Sequence, residues 1–217
     1  MNTTIIVTTH DRPGMLAECL ASLPLGEARV LVVDDSDAGN GRGVAERPGV
    51  DYTRTTARGT SRARLVGLAW AETPYVAFFD DDDIMLPDWL ELHEAAMARA
   101  DVVTSDYFDA DAHGKPTGVR HFGPPKMSDL LACRVTINDG SLIRRSILEG
   151  ITWHPERDDV MMLSLWLDLM ERGARFTNIE QPTWLYRWHG GNKSYTVRTE
   201  RDAQQRREAI AEHLVPA

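Results

Sequence analysis

Two short runs near the start of the chain, TTIIVTT (3–9) and ARVLVVDD (28–35), are apolar or β-branched with no polar alternation. A strand with one face in water alternates, whereas an unbroken run fits a strand covered on both faces, as in a parallel sheet. Between them, PGMLAECLASLP sets Met15, Leu16, Cys19, Leu20 and Leu23 at helical spacing, with Pro13 admissible in the first turn. The two strands and the helix form a βαβ unit. A third strand near VDYTRT (50–55), a helix over SRARLVGLAWAE (61–72) and a fourth strand at YVAFF (75–79) repeat the rhythm. The first half of the chain therefore reads as a doubly wound, mostly parallel α/β sheet with helices on both faces. Ligands of such sheets bind beyond the carboxyl ends of the strands, and Asp11, Asp34, Asp35 and the run DDDD (80–83) all fall there.

After Pro87 the pattern loosens. A helix is expected over DWLELHEAAMARA (88–100), a strand over DVVTSDYFDA (101–110) and a hairpin at the turn-rich DAHGKPTG. A helix from about Asp158 to Arg172 stops at Gly173, and PTWLYRW (182–188) reads as a late strand. The charged tail after residue 198 is a helix with few apolar positions, Ala203, Ile210 and Leu214. Packing on a second copy in a homo-oligomer, lying on the core and remaining solvated all stay open for it, and the sparse apolar positions favour the last two.

Composition excludes several classes. A net charge of −9 argues against broad nucleic-acid binding, which needs clustered Lys and Arg. Cys19 and Cys133 have no CxxC-type partner, so neither a disulfide framework nor a zinc knuckle is suggested, and a reducing compartment fits. The start MNTTIIVTTHDR lacks a basic region and a long apolar run, and no window nears the roughly 20 apolar residues that span a bilayer. The expectation is a cytoplasmic protein with no transmembrane segment.

Four adjacent carboxylates repel, each pair at about 4 Å by roughly 1 kcal/mol even at the dielectric of water. A helix N-terminus or a solvated loop would explain one or two of them. A divalent cation, Mn2+ or Mg2+, explains more, because hard oxygen ligands at a strand end suit it. A second class shares these features. VLVVDDS followed by DDDIMLPD also looks like a phospho-receiver signalling domain, with Thr104 and Lys126 as switch residues. Against it, DAGNGRGVAERPG is rich in Gly and broken by Pro48 where a receiver has a helix, and a full strand and helix precede VVDD.

Taken together, TIIVTTHDRPGMLAECLASL, VLVVDDS, GTSRARLVGLAWAETPYVAFFDDDDIMLPDWLE and the later DDVMMLSLWLDLMERG and YRWHGGNKS resemble a family 2 glycosyltransferase of the GT-A fold, from residue 3 to about 195. The resemblance implies one domain over 1–217, with a nucleotide-sugar half (1–100), an acceptor half (101–197) and a C-terminal helix (198–217). It implies a nucleotide-holding motif at Thr8, Thr9, His10, Asp11 and Arg12, where the family more often shows Tyr-Asn at the positions of His10 and Asp11. Asp34, Asp35 and Ser36 match its base-contacting segment. Gly59, Ser61, Ala63 and Arg64 match a donor-site segment in which Leu65 and Ala57 replace the usual Asn residues, and Arg64 becomes a donor-site candidate, with a solvated helix face as the alternative for Arg58, Arg62 and Arg64.

Within the acidic run the resemblance makes Asp82 the metal ligand, lets Asp80 bridge through ribose, water or metal, assigns Asp83 to the helix start and leaves Asp81, at the variable place of the motif beside the donor, the most expendable. His189 matches a late histidine that in some relatives reaches the metal or diphosphate. Asp159 matches the base and Asp158 its neighbour, both readable also as helix-start charges. Trp153 and Trp188 are candidates for an acceptor wall, and Trp166 for the core. The implied reaction moves a sugar from a nucleoside diphosphate sugar, uridine-linked, to a hydroxyl of a small-molecule, lipid-linked or glycan acceptor, with inversion. A non-catalytic sugar-nucleotide-binding protein is the further alternative.

Overall fold

The computed structural model describes residues 1–132, 140–157, 160–192 and 200–213, and in the last segment the side chains from residue 203 onward. The strands β1 (Thr3–Thr9), β2 (Arg29–Asp34), β3 (Val50–Arg54) and β4 (Tyr75–Asp80) are joined by helices α1 (Pro13–Ser22), α2 (Arg42–Ala45) and α3 (Thr60–Trp70). All three pairings among them are parallel, in the order β3-β2-β1-β4. The lack of alternation has the expected cause. Ile5, Val7, Val30, Val32, Ala77 and Phe79 point into a core shared with Leu16 and Leu20 of α1. Ile6, Leu31, Val33, Val76 and Phe78 point into a second core on the opposite face.

Register builds the rim. Thr9 pairs with Asp34 on β2, and Thr8 pairs with Asp80 on β4, so three strand ends finish level. Pro13 opens α1 at once after the β1 turn, where Asp11 adopts φ 53°. Gly67 lets α3 press onto the sheet, since a Cβ there would lie 2.3 Å from Ile6 Cγ2.

The second half extends the same sheet. After β5 (Ile84–Met85) and α4 (Trp89–Ala96) come β6 (Val102–Ala110), β7 (Pro116–Arg120), α5 (Met127–Leu131), β8 (Leu142–Arg144), a 3-10 turn (Arg145–Leu148), α6 (Met161–Glu171), β9 (Phe176–Arg187) and α7 (Glu200–Glu212). The path continues β4-β8-β6-β9-β5, with β7 hairpinned on β6. The β6–β9 ladder is parallel, and the shorter ladders of this half are antiparallel. The late strand runs longer than PTWLYRW, because the polar stretch from Phe176 pairs with β6. Trp166 is core, as expected.

Of the readings left open for the tail, the structure takes the one on the core. Ala209 of α7 is buried, Ile210 packs on the second core, and Arg157 pairs with Glu212 at 2.5 Å. The receiver reading fails on strand order. In that fold the VVDD and FFDD strands are neighbours, whereas here β1 separates them. Thr104 is spent on Thr177 and Asn178 within the β6–β9 ladder. No described helix is long and apolar enough to cross a membrane.

Candidate active site

Each aspartate of the acidic run has its own partner. Asp80, at the end of β4, pairs with Arg64 Nη2 at 2.8 Å. Asp81 is fully buried, accepts from Thr9 Oγ1 at 2.6 Å and pairs with Arg12 Nη2 at 2.5 Å. Burial raises its carboxyl to about pKa 7, against the pull of Arg12 and Thr9 and with the push of Asp82 and Asp80. Asp82 turns Oδ2 to Arg12 Nη1 at 2.6 Å and His189 Nε2 at 3.1 Å. Asp83 accepts from the backbone N–H of Arg187 at 3.1 Å.

Two expectations change here. Asp81 is not a dispensable loop charge beside the donor. With no exposed surface it holds Arg12 and the end of β1 in place. Asp83 ties the loop to β9, while α4 starts at Trp89. The reason is the bend after β4: the two-residue β5 pairs with β9 and turns Asp83 inward.

The β2 end is similarly built. Asp34 is fully buried and accepts from Ser36 N at 2.9 Å, Gly41 N at 2.8 Å and Tyr52 Oη at 3.0 Å. Burial alone would raise its carboxyl, yet these donors hold it below the ordinary value. Ser36 Oγ accepts from the N–H groups of Gly39 and Asn40. Asp34 and Ser36 thus shape the loop from within rather than face a base. Asp35 lies at the edge, between His10 Nδ1 at 2.8 Å and Gly59 N at 2.7 Å. Gly59 adopts φ 101°, open to glycine, where its N–H reaches that carboxylate. His10 and Asp11 are half-exposed beside it, and Asn40 Nδ2 donates to Asp11 at 2.7 Å. Thr8 is buried at the end of β1.

The rim therefore gathers Arg12, His10, Asp35, Asp80, Asp82 and His189 from three parallel strand ends and the exit of β9. Residues 4–152 match the model of glycosyl transferase family 2. The chain belongs to that family. As a member of the family it is similar to the succinoglycan biosynthesis protein ExoW of Rhizobium meliloti (strain 1021), at 33% identity over 132 residues, which covers 56% of this chain and 40% of that protein. Its fold matches the 1–349 fragment of S. aureus TarS in complex with UDP-GlcNAc, with TM-score 0.76 at 19% identity over 100% of this chain and 67% of that one. The same fragment in complex with UDP gives 0.74 at 18%, over 100% and 66%. The GT-A architecture expected from the sequence is the one found.

For a family 2 member the test of a metal site is the donor set. The carboxylates of Asp80 and Asp82 are hard oxygen donors at a strand end and fit Mn2+ or Mg2+. His189 fits less well. Its Nδ1 accepts from the N–H of Gly191 at 3.1 Å, so the neutral ring carries its proton on Nε2 and donates to Asp82. A histidine bound to a metal donates with its other nitrogen instead. Arg64, with its side chain 7% exposed, lies under Asp80, while Arg12, at 34%, is the more open guanidinium of the rim.

Arg187 escaped the sequence reading. It is buried, donates from Nε to the Asp82 carbonyl and pairs with Glu18 of α1. Only its place two residues before His189 could have drawn attention to it. Trp188 Nε1 donates to Asp109 at 2.8 Å and its ring meets Tyr186 edge-on. Trp153 is half-buried against the second core. Asp158 and Asp159 lie outside the described residues.

Proposed function

We propose that this family 2 member transfers a sugar from a nucleoside diphosphate sugar, uridine-linked, to an acceptor hydroxyl with inversion. The observation that carries the reading is the level finish of β1, β2 and β4, which brings His10 and Asp35 to one end of the rim and Arg12, Asp80 and Asp82 to the other. A polar edge beside a cluster of charge at the strand ends suits a nucleotide sugar. The TarS complexes with UDP-GlcNAc and UDP, and the polysaccharide role in the name of ExoW, support the uridine-linked donor and a glycan-type acceptor.

In the reaction the bond from the anomeric carbon to the diphosphate breaks as the acceptor oxygen bonds to that carbon, and the acceptor proton passes to a carboxylate. Asp159 is the base, with Asp158 beside it, both standing just before α6 in sequence. Asp80 and Asp82 would hold Mn2+ or Mg2+, which when bound supplies charge neutralisation for the leaving diphosphate. Arg12 offers the protein's own cation at the same end. Asp35, oriented by Gly59 and His10, is the acceptor for a base N–H. Trp188, fixed by Asp109, offers a ring face for an acceptor sugar.

The test is a donor-hydrolysis screen across nucleotide sugars with Mn2+, which reveals turnover before the acceptor is known. Turnover of a UDP-sugar that disappears in Asp159→Asn is expected. Donor binding without turnover by the wild type would favour the non-catalytic binding protein, and no thermal shift with any nucleoside diphosphate would overturn both.

A further inference from the structure

The guanidinium of Arg12 spans two neighbouring carboxylates, Nη2 on Asp81 at 2.5 Å and Nη1 on Asp82 at 2.6 Å. A divalent cation at Asp82 needs the lone pairs that Arg12 and His189 now share on Oδ2. The two competitors differ in how they are held. His189 is fixed on three sides, with its backbone N–H on Asn192 Oδ1 at 2.5 Å, Nδ1 under the N–H of Gly191, and a side chain only 9% exposed. Arg12 stands ahead of the first turn of α1 with a third of its side chain in solvent, and among the described residues its guanidinium pairs with the two carboxylates. Its fork also matches a phosphate in the same bidentate way that it matches a carboxylate.

We propose that Arg12 is an internal counter-cation that covers Asp82 in the free protein and moves to the diphosphate when nucleotide and divalent cation enter together. Metal affinity is then low without nucleotide and high with it, a positive coupling built from one side chain with two alternative partners. Arg64 does not take this part, since it is buried beneath Asp80. The inference rests on the proposed cation at Asp82.

The experiment titrates Mn2+ by EPR of the free ion, in wild type and Arg12→Met, each with and without UDP. The wild type is expected to bind Mn2+ about 10-fold more tightly with UDP than without it. Arg12→Met is expected to bind Mn2+ alone about 10-fold more tightly than wild type, with the UDP effect reduced to what direct pairing of cation and diphosphate supplies. Because Met leaves the buried Asp81 without its ion pair, the double variant Arg12→Met/Asp81→Asn is titrated in parallel, with melting curves to confirm folding. Mn2+ binding that is equal or weaker in both folded variants overturns the proposal while leaving the proposed metal site standing. Absence of Mn2+ binding in every protein, with and without UDP, overturns the metal site itself and the proposal with it.

Discussion

His93 gives the molecule an acid-sensitive point inside the helix that follows the acidic loop. It is wholly buried in α4, its Nδ1–H donates to the carbonyl of Trp89 at 2.7 Å, and its ring stacks on that indole at 4.3 Å. Nε2 meets no acceptor among the described residues, so a second proton would have nowhere to bond. Burial accordingly holds the imidazole down from 6.5 to about pKa 3, despite the Trp89 carbonyl. The unfolded chain takes a proton near 6.5 and the folded chain only near 3, so between those values the unfolded state binds more protons. Stability therefore falls as pH falls through this window, by about 1.4 kcal/mol per unit, or about 2 kcal/mol from pH 6.5 to 5. Asp81 has the opposite sign over nearly the same range, because its raised pKa lets the folded state take a proton first. The whole-protein profile thus hides both, and the difference between wild type and His93→Leu isolates one. Urea unfolding at a series of pH values should show the wild type losing about 2 kcal/mol relative to the Leu variant between pH 6.5 and 5, with no further divergence above about pH 7. Parallel profiles would refute the reasoning, since His93 would then titrate freely. The consequence reaches the sheet, because Trp89 Nε1 donates to Gly140 O at 2.8 Å and the Gly140 N–H donates to the Phe78 carbonyl of β4 at 2.8 Å.

Two further substitutions test how the rim is supported. Gly67→Ala should lower stability by about 1–3 kcal/mol in urea unfolding, despite the better helix propensity of Ala, because the new Cβ falls 2.3 Å from Ile6 Cγ2 and 3.2 Å from Val33 Cγ2. An unchanged midpoint would mean that α3 does not press on β1. Arg187→Met should lower the melting temperature and weaken UDP binding together, with a stability loss of about 1–3 kcal/mol, since the Asp82 carbonyl loses a buried donor. Loss of stability with UDP affinity intact would separate Arg187 from the site.

The strands of the first half were legible because burial on both faces leaves a signature that a single sequence carries: Ile5, Ile6 and Val7 are all apolar since two different cores receive them. β5 and β8 were not, because strands of two and three residues are too short for any period. The motif level shows the same divide. Residue types and places are readable there, but burial is not. Asp34 and Asp81 look like their neighbours in sequence, and only the fold turns them inward onto Tyr52, Gly41, Thr9 and Arg12. Arg187 meets Glu18 across 169 positions of chain, a contact no local pattern announces.

Those distant partners also answer how four adjacent carboxylates can share one turn. At about 4 Å, neighbouring charges cost about 1 kcal/mol per pair in water and about 4 kcal/mol at the effective dielectric of a protein surface. A charge-assisted hydrogen bond returns about 1.5–3 kcal/mol. One partner for the whole run would not suffice, whereas one for each aspartate does. Those partners come from four places: Thr9 and Arg12 at the exit of β1, Arg64 on α3, the Arg187 backbone on β9 and His189 just beyond it. The loop therefore holds its shape only with β1, α3 and β9 all in place, and the ligand end of the sheet is completed by the last strand of the chain. The partners are also unequal. Arg64, Arg187 and His189 are enclosed, and Arg12 alone among these cationic or donor side chains keeps a third of its surface in solvent. A negatively charged ligand arriving at the rim thus meets one side chain that can change partners without unfolding the loop.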